Sequence, residues 1–335
     1  MRVTLQQIAD ETGLSKPTVS RILNASCGQY RPETQARVRQ AAERLGYRPN
    51  SAAKAVANGR FNAAALVLSM TPQFSNVPPG LIDGIHDALA AHGMHLTLSR
   101  MDDQRLSSEN VLPKVLRELM VDGMLINYTD NAPPHLADLV RQMSIPAVWI
   151  NRRMETDAVY PDDEGAGYMA TRHLLDLGHR SIVYLDQWHQ QIVGQHWHYS
   201  VLDRQHGYER AMAEFQAPAR VVRGRGDIRY RVGMVAQLLR ESQRPTGLVM
   251  YSADVAPMLA AAELGLTVPD QLSVVALSDA PSKDGLTIFV NSCGKMGSLA
   301  VEILRKKLAD PSPVPACSVP FVLVPGNTAA AVAVA

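Results

Sequence analysis

The chain has 335 residues, of which 46% are hydrophobic and 19% charged. That balance builds packed cores and excludes a disordered chain, and at about 150 residues per domain the length implies two or three domains. The net charge of +1 is unevenly placed: residues 1–60 hold ten Lys/Arg against four Asp/Glu, a formal +6, which leaves −5 for the remainder, the pattern of a polyanion-binding head on a mildly acidic body.

Leu5, Ile8 and Ala9 recur at helical spacing, so a short amphipathic helix is predicted over residues 5–12 with Thr4 as N-cap. Gly13 and Leu14 break it. Ser15 caps a second helix, and Pro17 falls in its first turn, where backbone N–H groups lack intrahelical partners. Val19, Ile22 and Leu23 form one stripe of that second helix; Pro17 and Arg21 fall opposite, Thr18 and Ser20 flank, and Lys16 sits at the N-terminal rim. An outward face of short hydrogen-bonding side chains and two cations, with no acid, suits phosphates and base edges, and the helix N-terminus adds partial positive charge. A third helix is predicted over 32–45, with Val38, Ala41, Ala42 and Leu45 inward and Gly46 as its stop. The Ala-rich stretch 50–60, NSAAKAVANGR, is helix-prone but too short to stand alone.

From residue 63 short apolar runs alternate with helical stretches: AAALVLSM, MHLTLS, DGMLINY, IPAVWIN, RSIVYL, TGLVMY and LSVVAL are separated by amphipathic segments. This predicts parallel sheets with helices on both faces, too many strands for one sheet, and so two α/β lobes. Ligands of such folds lie beyond the C-terminal ends of strands, here in the cleft between lobes. Tyr128 after LIN and Trp188 after IVYLD offer flat faces to a sugar ring, or are ordinary packing. His179, His189, His196, His198 and His206 cluster in sequence, but their spacing fits no ligand set, so no metal or cofactor is expected. Three cysteines (Cys27, Cys293, Cys317), odd in number and widely spaced, argue against a disulfide framework. No apolar leader and no run of membrane-spanning length is seen, which points to a cytoplasmic protein. Without G-x-S-x-G, a Walker motif or G-x-G-x-x-G after a strand, an enzyme is not expected.

The segments VTLQQIADETGLSKPTVSRILN, RPETQARVRQAAERLGYRPN and NSAAKAVANGR, followed in order by GLIDGIHDALAAHGMHL, HLLDLGHRSI, DRQHGYERAM and LGLTVPDQLSVVAL, resemble the lactose/galactose-repressor (LacI/GalR) family of bacterial transcription factors. The resemblance implies an α/β protein with a three-helix helix-turn-helix head over 1–49, a hinge helix over 50–60, and a two-lobed periplasmic-binding-protein-like core over 61–335 for effector binding and dimerisation. It implies that the second helix lies in the major groove, with Lys16, Pro17 and Arg21 reading bases and Thr4, Ser15, Thr18, Ser20, Asn24 and Thr34 positioning phosphates. Hinge residues Ala53, Lys54 and Val56 would meet the minor groove. Val56 stands where most members have Leu, Lys54 where Arg is frequent, and Pro17 has no hydrogen to donate.

The implied partners are double-stranded DNA with a near-palindromic operator, a second copy of the chain, and a small effector such as a sugar or sugar derivative. Arg204 matches the family's effector-contacting arginine, and Asn151 stands where the family commonly has Asp. The family's Asn-Asp pair after TGLVMY is missing, Asp254 being the nearest acid, and Asp279 follows the next strand. A sugar-binding receptor without DNA readout is the competing reading, and it predicts a secretion signal.

Overall fold

The head helices begin and end where capping chemistry puts them. In the computed structural model, residues 3–24, 30–49, 55, 59–71, 74–102, 120–129, 132, 136–187, 198–224, 226–281 and 285–332 are described. The chain divides into two units, Met1–Phe61 and Asn62–Ala335. In the first, α1 (Leu5–Thr12) opens with a capping box: the Thr4 side chain accepts from the Gln7 N–H, and the Thr4 N–H donates to Gln7 Oε1 at 2.9 Å. Gly13, at φ 65°, closes α1 in the left-handed region. Helix α2 (Lys16–Leu23) is capped by Ser15, and α3 (Pro32–Arg44) ends before Gly46 at φ 69°. Ile8, Ala9, Val19, Ile22, Val38, Ala41 and Ala42 form the buried core, with Leu23, Leu45 and Tyr47 packed partly against it. An ion pair from Glu11 to Arg44 ties α1 to α3.

With so small a core, helix ends count. Ser15→Ala removes the side-chain acceptor of the Thr18 N–H and is expected to destabilise α2 by about 1 kcal/mol. Amide exchange in the intact chain checks this: protection of α2 should fall roughly fivefold in Ser15→Ala and stay near wild type in Ser15→Asp.

The second unit holds two six-stranded sheets. The first has the order β11-β5-β4-β3-β1-β2 and is parallel throughout. Its strands are β1 (Ala63–Ser69), β2 (His95–Met101), β3 (Gly123–Asn127), β4 (Ala147–Ile150), β5 (Ala158–Pro161) and β11 (Cys317–Val319). Strand β1 is buried on both faces: Ala63, Ala65 and Val67 enter one core, Ala64 and Leu66 the other. That second core is covered by α4 (Pro79–Ala90) and α10 (Cys293–Ala309), and α5 (Leu136–Gln142) lies on the first.

The second sheet has the order β12-β10-β9-β8-β6-β7 and is parallel except for the β10–β12 pair. Its strands are β6 (Ile182–Asp186), β7 (Arg220–Arg223), β8 (Gly247–Met250), β9 (Ser273–Ser278), β10 (Thr287–Asn291) and β12 (Phe321–Val324). Helices α6 (Asp163–Asp176) and α7 (Ser200–Glu214) cover one face, α8 (Ile228–Leu239) and α9 (Ala256–Glu263) the other. Helices α6 and α7 cross at backbone contact: a Cβ added at Gly207 would lie 2.0 Å from the Glu164 carbonyl oxygen.

The chain passes between the lobes three times, each time through one residue: Asp162 between β5 and α6, Ser292 between β10 and α10, and Pro320 between β11 and β12. These crossings are bonded together. The Asp162 N–H donates to the Val319 carbonyl at 2.8 Å, and Ser292 Oγ donates to the Pro320 carbonyl at 3.2 Å. None of the described helices is long and apolar enough to cross a membrane.

The last described residues fold onto the second lobe. His179 is 3% exposed, with Nε2 donating to the Ala330 carbonyl at 3.0 Å and Nδ1 against Thr246 Oγ1 at 2.9 Å. Burial holds its pKa below the usual histidine value. Folding therefore releases protons, so the contribution of His179 is full above pH ~6.5 and is lost as pH falls through the lower folded value. Denaturant unfolding between pH 7 and pH 5 is expected to show core stability falling with acidification, and His179→Asn should flatten that slope.

Candidate functional site

Two surfaces carry functional side chains, one in each unit. On the head, Lys16, Pro17 and Arg21 are exposed on α2, and neither Lys16 nor Arg21 forms an ion pair with a described residue. The helix places Pro17 and Arg21 opposite the buried Val19 and Ile22 and Lys16 at its N-terminal rim, leaving both cations available to an anionic partner.

The polar neighbours are partly occupied within the head. Ser15 Oγ lies 2.8 Å from Thr18 Oγ1, and Asn24 Nδ2 donates to Ser20 Oγ at 3.3 Å. Thr4 is exposed at the start of α1 and serves as its cap, and Thr34 is half-buried in the first turn of α3. Ala53, Lys54 and Val56 lie outside the described residues.

The second surface is a cavity of about 230 Å³ between the lobes, built from residues at the C-terminal ends of strands. From the first lobe come Asn76, in the loop after β1, Thr129 after β3, Asn151 after β4, and Pro161 at the end of β5. The second lobe contributes Asp163 at the start of α6, together with His198, Ser200 and Arg204 of α7 and the turn before it. Tyr251 and Ser252 follow β8, Asp279 follows β9, and Asn291 ends β10.

Arg204 is the best-anchored of these. Its Nε donates to Asp163 Oδ1 at 2.7 Å and its Nη1 to the Tyr251 carbonyl at 2.7 Å, while the guanidinium lies between the Tyr251 and Phe321 rings at 4.6 and 5.4 Å. Burial, the largest single influence, would lower its pKa, but the Asp163 charge and hydrogen bond together with Tyr251 and Asp279 outweigh it, and the guanidinium stays protonated. Asp279 accepts from Asn76 Nδ2 at 2.8 Å and from Asn291 Nδ2 at 3.1 Å, so the first of these bonds joins the lobes across the cleft.

Asn151 sits at φ 60°, a conformation asparagine tolerates. Its carbonyl accepts from His198 Nε2 at 3.1 Å, a second bond across the cleft. A third link is the ion pair of Arg153 with Asp203 at 3.0 Å. Burial pushes the Tyr199 and Tyr251 hydroxyls above the usual tyrosine pKa, so both stay neutral donors.

The cavity thus brings together Asn151, Arg204 and Asp279, three of the six residues expected there. Two others are placed differently. Tyr128 is 1% exposed inside the first lobe's core, because its ring turns inward at the end of β3 and Thr129 takes the cavity position. Asp254 pairs with Arg231 at 2.7 Å and accepts from the Ala256 N–H at 2.9 Å, an internal helix-end role away from the cavity. Trp188, His189 and His196 lie outside the described residues. Asn76, Asp163, His198, Ser200, Tyr251, Ser252 and Asn291 were not anticipated, although most fall within two residues of a strand end. Among the described residues no cluster of three His, Cys, Asp or Glu is placed to hold a metal ion.

Comparison with known proteins matches two stretches of the chain to known modules. The family described as bacterial regulatory proteins, lacI family, matches residues 4–50, and a periplasmic binding protein-like domain matches residues 171–329. Catabolite control protein A of Priestia megaterium is 27% identical over 321 residues, covering 91% of this chain and 92% of that protein. The HTH-type transcriptional repressor PurR of Pectobacterium carotovorum subsp. carotovorum (strain PC1) is 28% identical over 284 residues, 81% of this chain and 79% of that protein. Among solved structures, the Lac repressor dimer bound to operator and the anti-inducer ONPF aligns with a TM-score of 0.75 at 21% identity, over 99% of this chain and 100% of that one. The transcriptional regulator CelR–cellobiose complex aligns at 0.63 and 22% identity, over 98% and 100%. These last two likenesses establish the fold.

Proposed function

The chain belongs to the lacI family of bacterial regulatory proteins, and from that premise we propose that it is a sequence-specific DNA-binding transcriptional repressor whose operator affinity is set by a small ligand in the cleft. The observation that carries this reading is the lacI-family match over residues 4–50, in which α2 presents Lys16, Pro17 and Arg21 to solvent. Lys16 and Arg21 read base edges; Pro17 reads by shape, its ring against a thymine methyl. Thr4, Ser15, Thr18, Ser20, Asn24 and Thr34 hold phosphates, and Ala53, Lys54 and Val56 engage the minor groove at the centre of the operator.

A homodimer brings two heads to one near-palindromic site, and the regulator works in the cytoplasm without catalysing a reaction. The cleft residues Asn151, Arg204 and Asp279 contact the ligand, a sugar or sugar derivative. Ligand and operator then change each other's affinity by the same factor.

Selection of bound DNA from a random pool at physiological salt tests the reading. The expected product is a palindrome of two half-sites about a flexible central step. Salt-sensitive binding without sequence preference would refute specific readout and leave a ligand-binding core as the functional part.

A further inference from the structure

We propose that the cleft selects a single-ring polyhydroxylated ligand bearing a protonated amine and rejects phosphorylated and carboxylated ligands. This rests on the reading of the core as a ligand-gated regulator and names the ligand's chemistry.

Charge balance is the first argument. Two carboxyl side chains, Asp163 and Asp279, and one guanidinium, Arg204, line the cavity. His198 Nε2 donates to the Asn151 carbonyl at 3.1 Å, and its Nδ1 lies 2.8 Å from Ser200 Oγ and 3.3 Å from the Ser200 nitrogen, contacts that an imidazole with one proton, on Nε2, satisfies. Arg204 is bonded to Asp163, and only neutral carboxamides contact Asp279 among the bonds it makes to Asn76 and Asn291. Among the described lining residues the carboxyls outnumber the guanidinium by one in a partly buried site, an arrangement that a ligand cation completes.

The second argument is the count of unused hydrogen-bonding atoms. Three buried side-chain atoms of lining residues have no partner: Asp163 Oδ2, Asn291 Oδ1 and Ser252 Oγ. Asp163 and Asn291 are 2% and 5% exposed. The first two atoms are pure acceptors. The orientation of the Asn291 amide is fixed, because its nitrogen must face the Asp279 carboxylate. A ligand that satisfies these atoms is a donor, as hydroxyl and ammonium groups are. Phosphate and carboxylate groups only accept, and would add charge of the wrong sign.

Size is the third argument. About 230 Å³ lies below the ~300–1,000 Å³ of sites that take drug-sized ligands, which fits one ring.

Calorimetric titration of the full chain tests this with glucosamine, galactosamine and mannosamine, each beside its parent hexose and that hexose's 6-phosphate. At least one amino sugar is expected to bind about tenfold more tightly than its parent, and no 6-phosphate to bind more tightly than the parent. Asp279→Asn should bring amino sugar and parent to equal affinity, whereas Ser252→Ala should weaken both alike; either variant is used only if its circular dichroism and melting match wild type. Equal or weaker binding by all three amino sugars, a 6-phosphate as tightest ligand, or no binding at all overturns the proposal. DNA selection with the same preparation, without ligand, reports the regulator reading separately.

Discussion

Replacing Arg204 with methionine is expected to lower the stability of the core by about 3–5 kcal/mol, the usual cost of leaving a buried charge without its partner. The Arg204 side chain is 10% exposed and that of Asp163 1%, so water does not take over the lost contact. The same change frees the Tyr251 carbonyl and empties the space between the Tyr251 and Phe321 rings. The pH dependence separates a charge effect from a packing defect. Burial holds the Asp163 pKa above the usual carboxylate value even against the opposing charge of Arg204; without Arg204 it climbs further, and the folded state then binds at higher pH a proton that the unfolded state holds only below pH ~4. The deficit should therefore shrink as pH falls from 7 toward 4.5 relative to wild type. Denaturant unfolding followed by circular dichroism measures both; a loss below about 1 kcal/mol, or one independent of pH, would show that the pair contributes little to the fold.

Lys16→Ala with Arg21→Ala is the second large effect. Each good base contact discriminates by about 1–3 kcal/mol, so the double variant should lose about 2–6 kcal/mol of operator affinity, roughly thirtyfold to twenty-thousandfold. Both residues are exposed on α2, and neither contributes to the head core, so alanine leaves the head folded. Binding to random DNA should weaken much less, because phosphate contacts elsewhere on the head supply it. Gel shifts on selected and scrambled duplexes at two salt concentrations provide the comparison. Equal losses on both duplexes would assign these cations to phosphates instead of bases.

The head was almost wholly legible, because its rules are local. Thr4, Ser15 and Gly46 end helices by hydrogen bonds and backbone angles set within four residues, and the buried stripes follow a 3.6-residue period. The lobes were legible only where a strand is a long apolar run. Strands β5, β7, β10, β11 and β12 went unread: β11 has three residues and pairs with β5 more than 150 positions away, a contact no local pattern encodes. The cavity was half-read for the same reason. Arg204 and Asp279 stand out as charges beside apolar segments, whereas Asn76 and Ser252 acquire their role only when two remote strand ends meet. Tyr128 and Asp254 show the converse: one residue of phase at a strand end turns a ring inward, and a helix needing a cap draws a carboxylate away.

The triple crossing also governs the order in which the protein can be made. The first sheet is nearly complete by residue 161, yet one of its faces, with Ala64, Leu66, Leu125 and Val148, is covered in part by Met296, Ala300, Val301 and Leu304 of α10. On the ribosome the part of that face under α10 stays open while most of the second lobe, from α6 to β10, is synthesised. For those ~130 residues, at about 5–20 residues per second, the nascent chain displays an apolar sheet for several seconds or more. A message cut short before Cys293 would release a chain whose second lobe has most of its strands and whose first lobe invites aggregation or chaperone capture.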